Sequence, residues 1–179
     1  MAKISKLVTR GKAAPSLDTP TDLSREAMSA VSDALNALLA NTFALYLKTK
    51  NFHRHVSGPH FRSYNLLFDE QSEQIFATTD ELAERVGKIG GRTIRSIGHI
   101  KRLQRIKDNE QDFVSPLDML CELMEDNKAT MANMRAAHKI AEDPDDISTS
   151  SMLETFIDGV EKRNWFLFEA SRTGDETGD

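Results

Sequence analysis

The sequence predicts an all-α protein, a four-helix bundle with a short extra helix in the second-to-third connection. Three observations carry this. Glycine and proline are few, nine and five in 179 residues, and they sit at the joints of apolar runs instead of inside them. Between the joints, apolar residues recur at three- and four-residue spacing, which lays them along one face of a helix. No stretch shows the strict alternation of a half-buried strand.

The first helix starts after "DTPT", at Asp22 or Ser24, and runs to about Arg54. Leu35, Leu39, Thr42, Tyr46 and His53 share one stripe of it. "SGP" then breaks the chain, and Pro59 suits the first position of a second helix. That helix runs to Ile89 and ends at Gly90-Gly91, with a core stripe of Phe61, Tyr64, Phe68, Ile75, Leu82, Val86 and Ile89. A shorter helical segment covers 93–106, broken near Gly98. "SPLD" at 115–118 reads as a helix start, with Ser115 as cap, Pro116 at the first position and Asp118 closing a capping box. This helix runs to about Glu142 and stops before Pro144. A last one spans about Ser148 to Arg172. The long second-to-third connection then gives the bundle its topology.

A chain of this length suits one domain with a real core. The single cysteine, Cys121, excludes an intrachain disulfide. The first residues lack the apolar segment of a signal peptide, and no run nears the roughly 18 apolar residues of a membrane span. A soluble, cytoplasmic protein is the expectation. Net charge is −5 but unevenly spread. We divide the chain into a flexible basic arm (1–20) carrying Lys3, Lys6, Arg10 and Lys12, a bundle (21–172), and a flexible acidic tail (173–179). Residues 85–107 hold eight Lys/Arg and no acid. A basic arm on an acidic body fits either a polyanion partner or a solubilising tail.

Histidines cluster at the first corner, "NFHRHVSGPH", where His53, His55 and His60 fall within eight residues. An acidic stripe follows on the second helix. With Phe68 as zero and about 100° per residue, the core stripe lies within roughly 40°. Asn65, Asp69, Glu73, Asp80 and Glu84 fall between roughly 60° and 160°, beside the core. Leu66 and Phe76 share that band, and acids mixed with large apolar residues suggest a subunit interface. Asp80 and Glu84 are neighbours able to share one cation. Asp69 stands about 16 Å from Asp80 along the axis, so one chain cannot close all three around an ion. An antiparallel two-fold pairing would bring His53 and Asp69 of one chain to Asp80 and Glu84 of another. On spacing alone, a solvated acidic face explains the stripe more simply.

"TKNFHRHVSGPHFRSYNLLFDEQ", "DELAERVGKIGG", "RSIGHIKRLQRIKD" and "NWFLFEASR" together resemble the Dps proteins, ferritin-like DNA-protection proteins of starved bacteria. The likeness covers roughly residues 22–172. It implies a ferritin-like four-helix bundle, twelve copies assembled as a hollow shell, and ferroxidase activity at two-fold interfaces. Iron is the substrate as Fe2+ and the stored mineral product as Fe3+, with hydrogen peroxide the usual oxidant. Carried over residue by residue, the family's ligand histidine falls on His53 and its aspartate on Asp69. The aspartate and glutamate of the partner chain fall on Asp80 and Glu84. A second histidine ligand is replaced by Asn65, and the tryptophan usual after the first histidine by Arg54. A carboxamide oxygen is a weak ligand and a fixed cation repels iron, so oxidation is expected to survive but to be slower.

The resemblance also places acids of the third-to-fourth corner, Glu142, Asp143, Asp145 and Asp146, around a pore through which iron enters; a plain helix-end loop is the alternative. It gives the arm residues Lys3, Lys6, Arg10 and Lys12 a role in binding double-stranded DNA without sequence preference, twelve arms adding avidity. His55 and His60 match no ligand, although either could stand in for Asn65. His99 and His138 read as structural. Met119, Met124, Met131 and Met134 read as core filler, and Trp165, Phe166 and Phe168 as core or interface packing. The expected protein is thus a cytoplasmic, nucleoid-associated shell that oxidises and stores iron and shields DNA. Its rival is a non-enzymatic DNA-binding or nucleoid-compacting shell with a degraded oxidation centre.

Overall fold

The computed structural model describes residues 19–172. The four arm cations and the tail from 173 onward lie outside the described residues. Five helices follow in order: α1 (Arg25–His55), α2 (Phe61–Lys88), α3 (Ile97–Leu103), α4 (Pro116–Glu142) and α5 (Ile147–Ser171). No strand occurs among the described residues. Helices α1 and α2 form one hairpin, α4 and α5 a second, and α1 joins them by packing on α4.

Short polar side chains start four of the helices. Ser24, Ser96, Ser115 and Asp146 each accept a bond from the backbone N–H three residues on, satisfying a donor that the helix cannot. Helix α2 starts differently from the sequence expectation. Pro59 lies outside it, in a turn closed by Phe61 N–H donating to the Gly58 carbonyl at 3.0 Å. Gly58 takes a φ of 101°, a left-handed conformation that glycine adopts without strain. Pro59 then fills a turn position suited to its fixed φ. Phe61, at the first position of α2, is 49% exposed instead of in the core stripe. Helix α3 runs through Gly98 without a break, its first turn anchored by Ser96.

The long connection is pinned to α1. Asn36 Nδ2 donates to the Arg92 carbonyl at 2.9 Å, and Arg105 N–H donates to Asn41 Oδ1 at 2.7 Å. At Gly91 the chain passes so close to α1 that a Cβ would stand 2.1 Å from Ser32 Oγ. Only glycine fits there.

The core has two apolar clusters. One gathers Leu35, Leu39, Leu82, Val86, Met131, Met134, Leu153 and Phe156. The other gathers Leu45, Phe52, Phe68, Ile75, Met119, Leu123 and Leu167. Between them, Thr42, Thr79, Asp126, Asn127, Thr130 and Arg163 are buried. Lys48 crosses this polar waist to Asp126 at 2.7 Å and Glu122 at 3.1 Å. Met124 is half-buried, whereas Trp165, Phe166 and Phe168 are exposed and outside the core. One expectation needs correction: α1 does hold an 18-residue window apolar enough to span a membrane. More than half of it is buried in the bundle, where it supplies both clusters.

Candidate metal centre

The last turn of α1 leaves backbone carbonyls that no further helical N–H can reach. Asn65, in the second turn of α2, answers one of them: its Nδ2 donates to the His53 carbonyl at 2.8 Å. In return His53 Nδ1 bonds the Asn65 carbonyl at 2.9 Å. A carbonyl only accepts, so Nδ1 carries the hydrogen. In the neutral ring Nε2 then keeps its lone pair, the state a metal ligand needs. Nε2 stands 3.8 Å from Asp69 Oδ1. The corner therefore presents one imidazole nitrogen and one carboxylate side by side, with the ring orientation fixed from behind.

A cation of the chain's own stands at that carboxylate. Lys50, on α1, pairs through Nζ with the same Asp69 Oδ1 that faces His53. Its hydrogen bond holds the Asp69 carboxyl below the usual aspartate range, against a smaller upward push from burial. Arg54 is exposed close by in sequence. Asn65 is turned toward α1 by its amide bond and offers no nitrogen ligand.

Asp80 and Glu84 lie further along α2 and are both exposed, with Glu84 paired to Lys88 at 2.9 Å. Among the described residues of one chain, no three metal-type side chains gather around one position. His53 and Asp69 are thus brought together, while Asp80 and Glu84 are not brought to them within the chain. The intervening surface is apolar as well as acidic: Leu47, Leu66 and Phe76 are 63%, 54% and 49% exposed. The Phe76 ring rests 4.9 Å from that of Tyr46. Glu73 is exposed.

The other histidines turn elsewhere. His55 Nδ1 bonds its own helix at the Asn51 carbonyl, 2.8 Å, and the His60 ring rests on Tyr64 at 5.7 Å. His138 bridges Glu142 at 3.5 Å and Glu154 at 3.1 Å, tying α4 to α5. Of the four corner acids, Glu142, Asp143 and Asp145 are exposed, with Asp145 at a φ of 59°. Asp146 departs from the expectation. It is buried, caps α5 through the Thr149 N–H, and accepts Arg85 at 2.5 Å. Its carboxylate is consumed in structure and cannot face a pore.

Sequence reasoning missed Lys50 and the clamp role of Asn65. Lys50 sits three residues before His53, hence on the same face of α1, so the helical wheel of α1 contained that signal.

A ferritin-like domain model matches residues 32–173. The DNA protection during starvation protein of Brevibacillus brevis is 32% identical over 137 residues, covering 76% of this chain and 91% of that protein. Dps from Thermosynechococcus elongatus superposes with a TM-score of 0.81 at 27% identity, over 86% of this chain and 98% of that one. The Dps protein of Vibrio cholerae O1, described as a member of a broad superfamily of ferritin-like diiron-carboxylate proteins, gives 0.80 at 25% identity over 84% and 94%. With the ferritin-like domain matched over most of the chain, a Dps relative at 32% identity and the helical fold shared with solved Dps structures, the chain belongs to the ferritin-like family and, within it, to the Dps proteins.

Proposed function

We propose that this chain is the subunit of a homo-oligomeric shell, a dodecamer, that oxidises ferrous iron, stores the ferric product and so shields DNA. The reaction site is closed by two copies: His53 and Asp69 from one, Asp80 and Glu84 from the other. The observation that carries this reading is the His53 ring, fixed through Nδ1 so that Nε2 faces Asp69. One imidazole nitrogen with three carboxylates suits ferrous iron. The exposed Leu47, Leu66 and Phe76 between the half-sites give the second copy an apolar surface to cover. With peroxide as oxidant, two ferrous ions give up one electron each, and one hydrogen peroxide takes both with two protons to become two waters. The chain supplies ligands and a dry interface, and no organic cofactor is required. We place the shell in the cytoplasm, on the nucleoid where its arms engage DNA.

A second reading is favoured by Lys50, which already neutralises Asp69, together with the missing nitrogen at Asn65. In it the shell binds DNA and its oxidation centre is silent. Peroxide-driven oxidation of ferrous iron by the purified shell separates the two. Under the first reading the rate falls to the protein-free value in Asp80→Ala/Glu84→Ala. The double variant still folds, because both side chains are exposed on the chain and lie outside its core, and its rate is read on the fraction that sediments as a shell. A parent shell no faster than buffer supports the second reading, and sedimentation as a monomer removes both.

A further inference from the structure

Arg163, on α5, is 7% exposed, yet no carboxylate pairs with it among the described residues and its Nε has no hydrogen-bond partner. Buried guanidinium groups are otherwise matched by an anion, because taking a lone charge out of water is costly. Gln71 of α2 stands beside it. Its Nε2 donates to the Arg163 backbone carbonyl at 3.0 Å, and its Oε1 is also unpartnered. Both residues line a recess of about 60 Å3 between α2 and α5, together with Lys162, Glu70, Gln74 and Phe166. A single water needs only about 10–15 Å3 of such space. Water could satisfy the two orphaned atoms but would bring no charge.

We propose that the α2–α5 recess binds a small oxyanion of the phosphate class, held by the Arg163 guanidinium inside and the Lys162 ammonium at the rim. A guanidinium presents several donors in one plane, a geometry matched to two oxygens of such an anion. Lys162 Nζ lies 5.9 Å from the Phe166 ring centroid, which keeps the cation at the mouth. Glu70 is the opposing charge there, and its Oε1 is occupied by Gln74 Nε2 at 3.1 Å. Burial alone lowers the Arg163 pKa, to about 10, the direction expected of an unmatched cation. At neutral pH the group stays charged. The site lies on α2 and α5, away from His53, and does not depend on the iron reading.

The test titrates inorganic phosphate into the iron-free, full-length shell in low-salt buffer, followed by calorimetry and by phosphorus NMR line width. Saturable binding approaching one phosphate per subunit is expected. Arg163→Met removes the cation, and Gln71→Glu sets a carboxylate beside it; each should weaken binding more than tenfold. Lys162→Ala, at an exposed position, should weaken it severalfold and cannot be blamed on misfolding. Absence of saturable uptake in the parent shell overturns the proposal. So does uptake unchanged in all three variants, which would mean an adventitious ion only.

Discussion

His53 and Asn65 hold each other by two reciprocal hydrogen bonds, side chain to backbone in both directions, at 2.9 and 2.8 Å. The position where the resemblance to Dps proteins places a second histidine here anchors the end of the helix that carries His53. The Asn65 side chain ends α1 as a cap would, while its backbone carbonyl, accepting from Nδ1, fixes the tautomer and tilt of His53.

Asn65→His should therefore have two separable effects. Losing the amide bond to the His53 carbonyl costs about 1 kcal/mol, read as a lower unfolding midpoint. Adding an imidazole one turn before Asp69 should raise iron occupancy and the initial rate of peroxide-driven oxidation. Asn65→Ala loses the bond and gains no ligand, so it should oxidise iron more slowly than the parent. If Asn65→His is no faster, the second position is controlled by Lys50 or Arg54 instead.

Lys50→Met frees the Asp69 oxygen that faces His53 Nε2. On the proposed reading Lys50 competes with iron for that oxygen, and a partly exposed ion pair changes an affinity by about fivefold at most. Ferrous binding should tighten within that range, with the largest gain at low ionic strength where the pair is least screened. Anaerobic ferrous titration of parent and variant reads this directly. A weaker affinity in Lys50→Met would mean that the ammonium organises the carboxylate instead of blocking it.

Much of the fold could be read from spacing because a bundle helix repeats its core face every three to four residues. Leu35, Leu39, Phe68, Ile75, Leu82 and Val86 all lie where that period put them, and all are buried. Failures came where backbone geometry overrides the pattern. Phe61 fits the α2 stripe by number, but the Gly58 turn leaves it at the open end of the helix. Asp146 looked like one more acid in a charged corner. Its partner Arg85 is 61 residues away, and a tertiary ion pair of that kind leaves no local signal. The polar waist left no local signal for the same reason, since Lys48 and Asp126 are 78 residues apart and meet only when the helices pack. For the candidate site, spacing put Asp69, Asp80 and Glu84 on one band of α2, and only the resemblance singled them out as ligands. Wheel spacing could not reveal which way the Asn65 amide turns.

Deleting residues 1–14 removes Lys3, Lys6, Arg10 and Lys12. Neutralising about four phosphates per arm corresponds to a salt slope of roughly −3.6 for each arm engaged. The truncated shell should assemble and oxidise iron as before while its DNA mobility shift weakens and its salt dependence flattens. Undiminished DNA binding would point instead to the α2–α4 connection. There Arg95, Lys101, Arg102, Arg105 and Lys107 are all exposed.

Lys48→Met tests the polar waist. The ammonium side chain is 6% exposed and serves Asp126 and Glu122 together, with Asn109 bonding the far oxygen of Glu122 at 2.8 Å. Removing one member of a buried pair costs about 3–5 kcal/mol. Because Glu122 is partly solvated, we expect about 3 kcal/mol at neutral pH. Burial raises the Asp126 carboxyl above its ordinary value near 3.8, and the hydrogen bond from Lys48 opposes that rise. Without Lys48 the folded-state value climbs further. The folded state then binds a proton more tightly than the unfolded state, so stability falls as pH rises through the window between the two values. The deficit of Lys48→Met should accordingly shrink on acidification from about pH 7 toward about pH 4, and Asp126→Asn in the same chain should recover more than half of it. Unfolding midpoints of the three shells across that range decide the matter. A deficit that is flat with pH would show that lost packing of the lysine stem, and not the stranded carboxylate, is what the substitution removes.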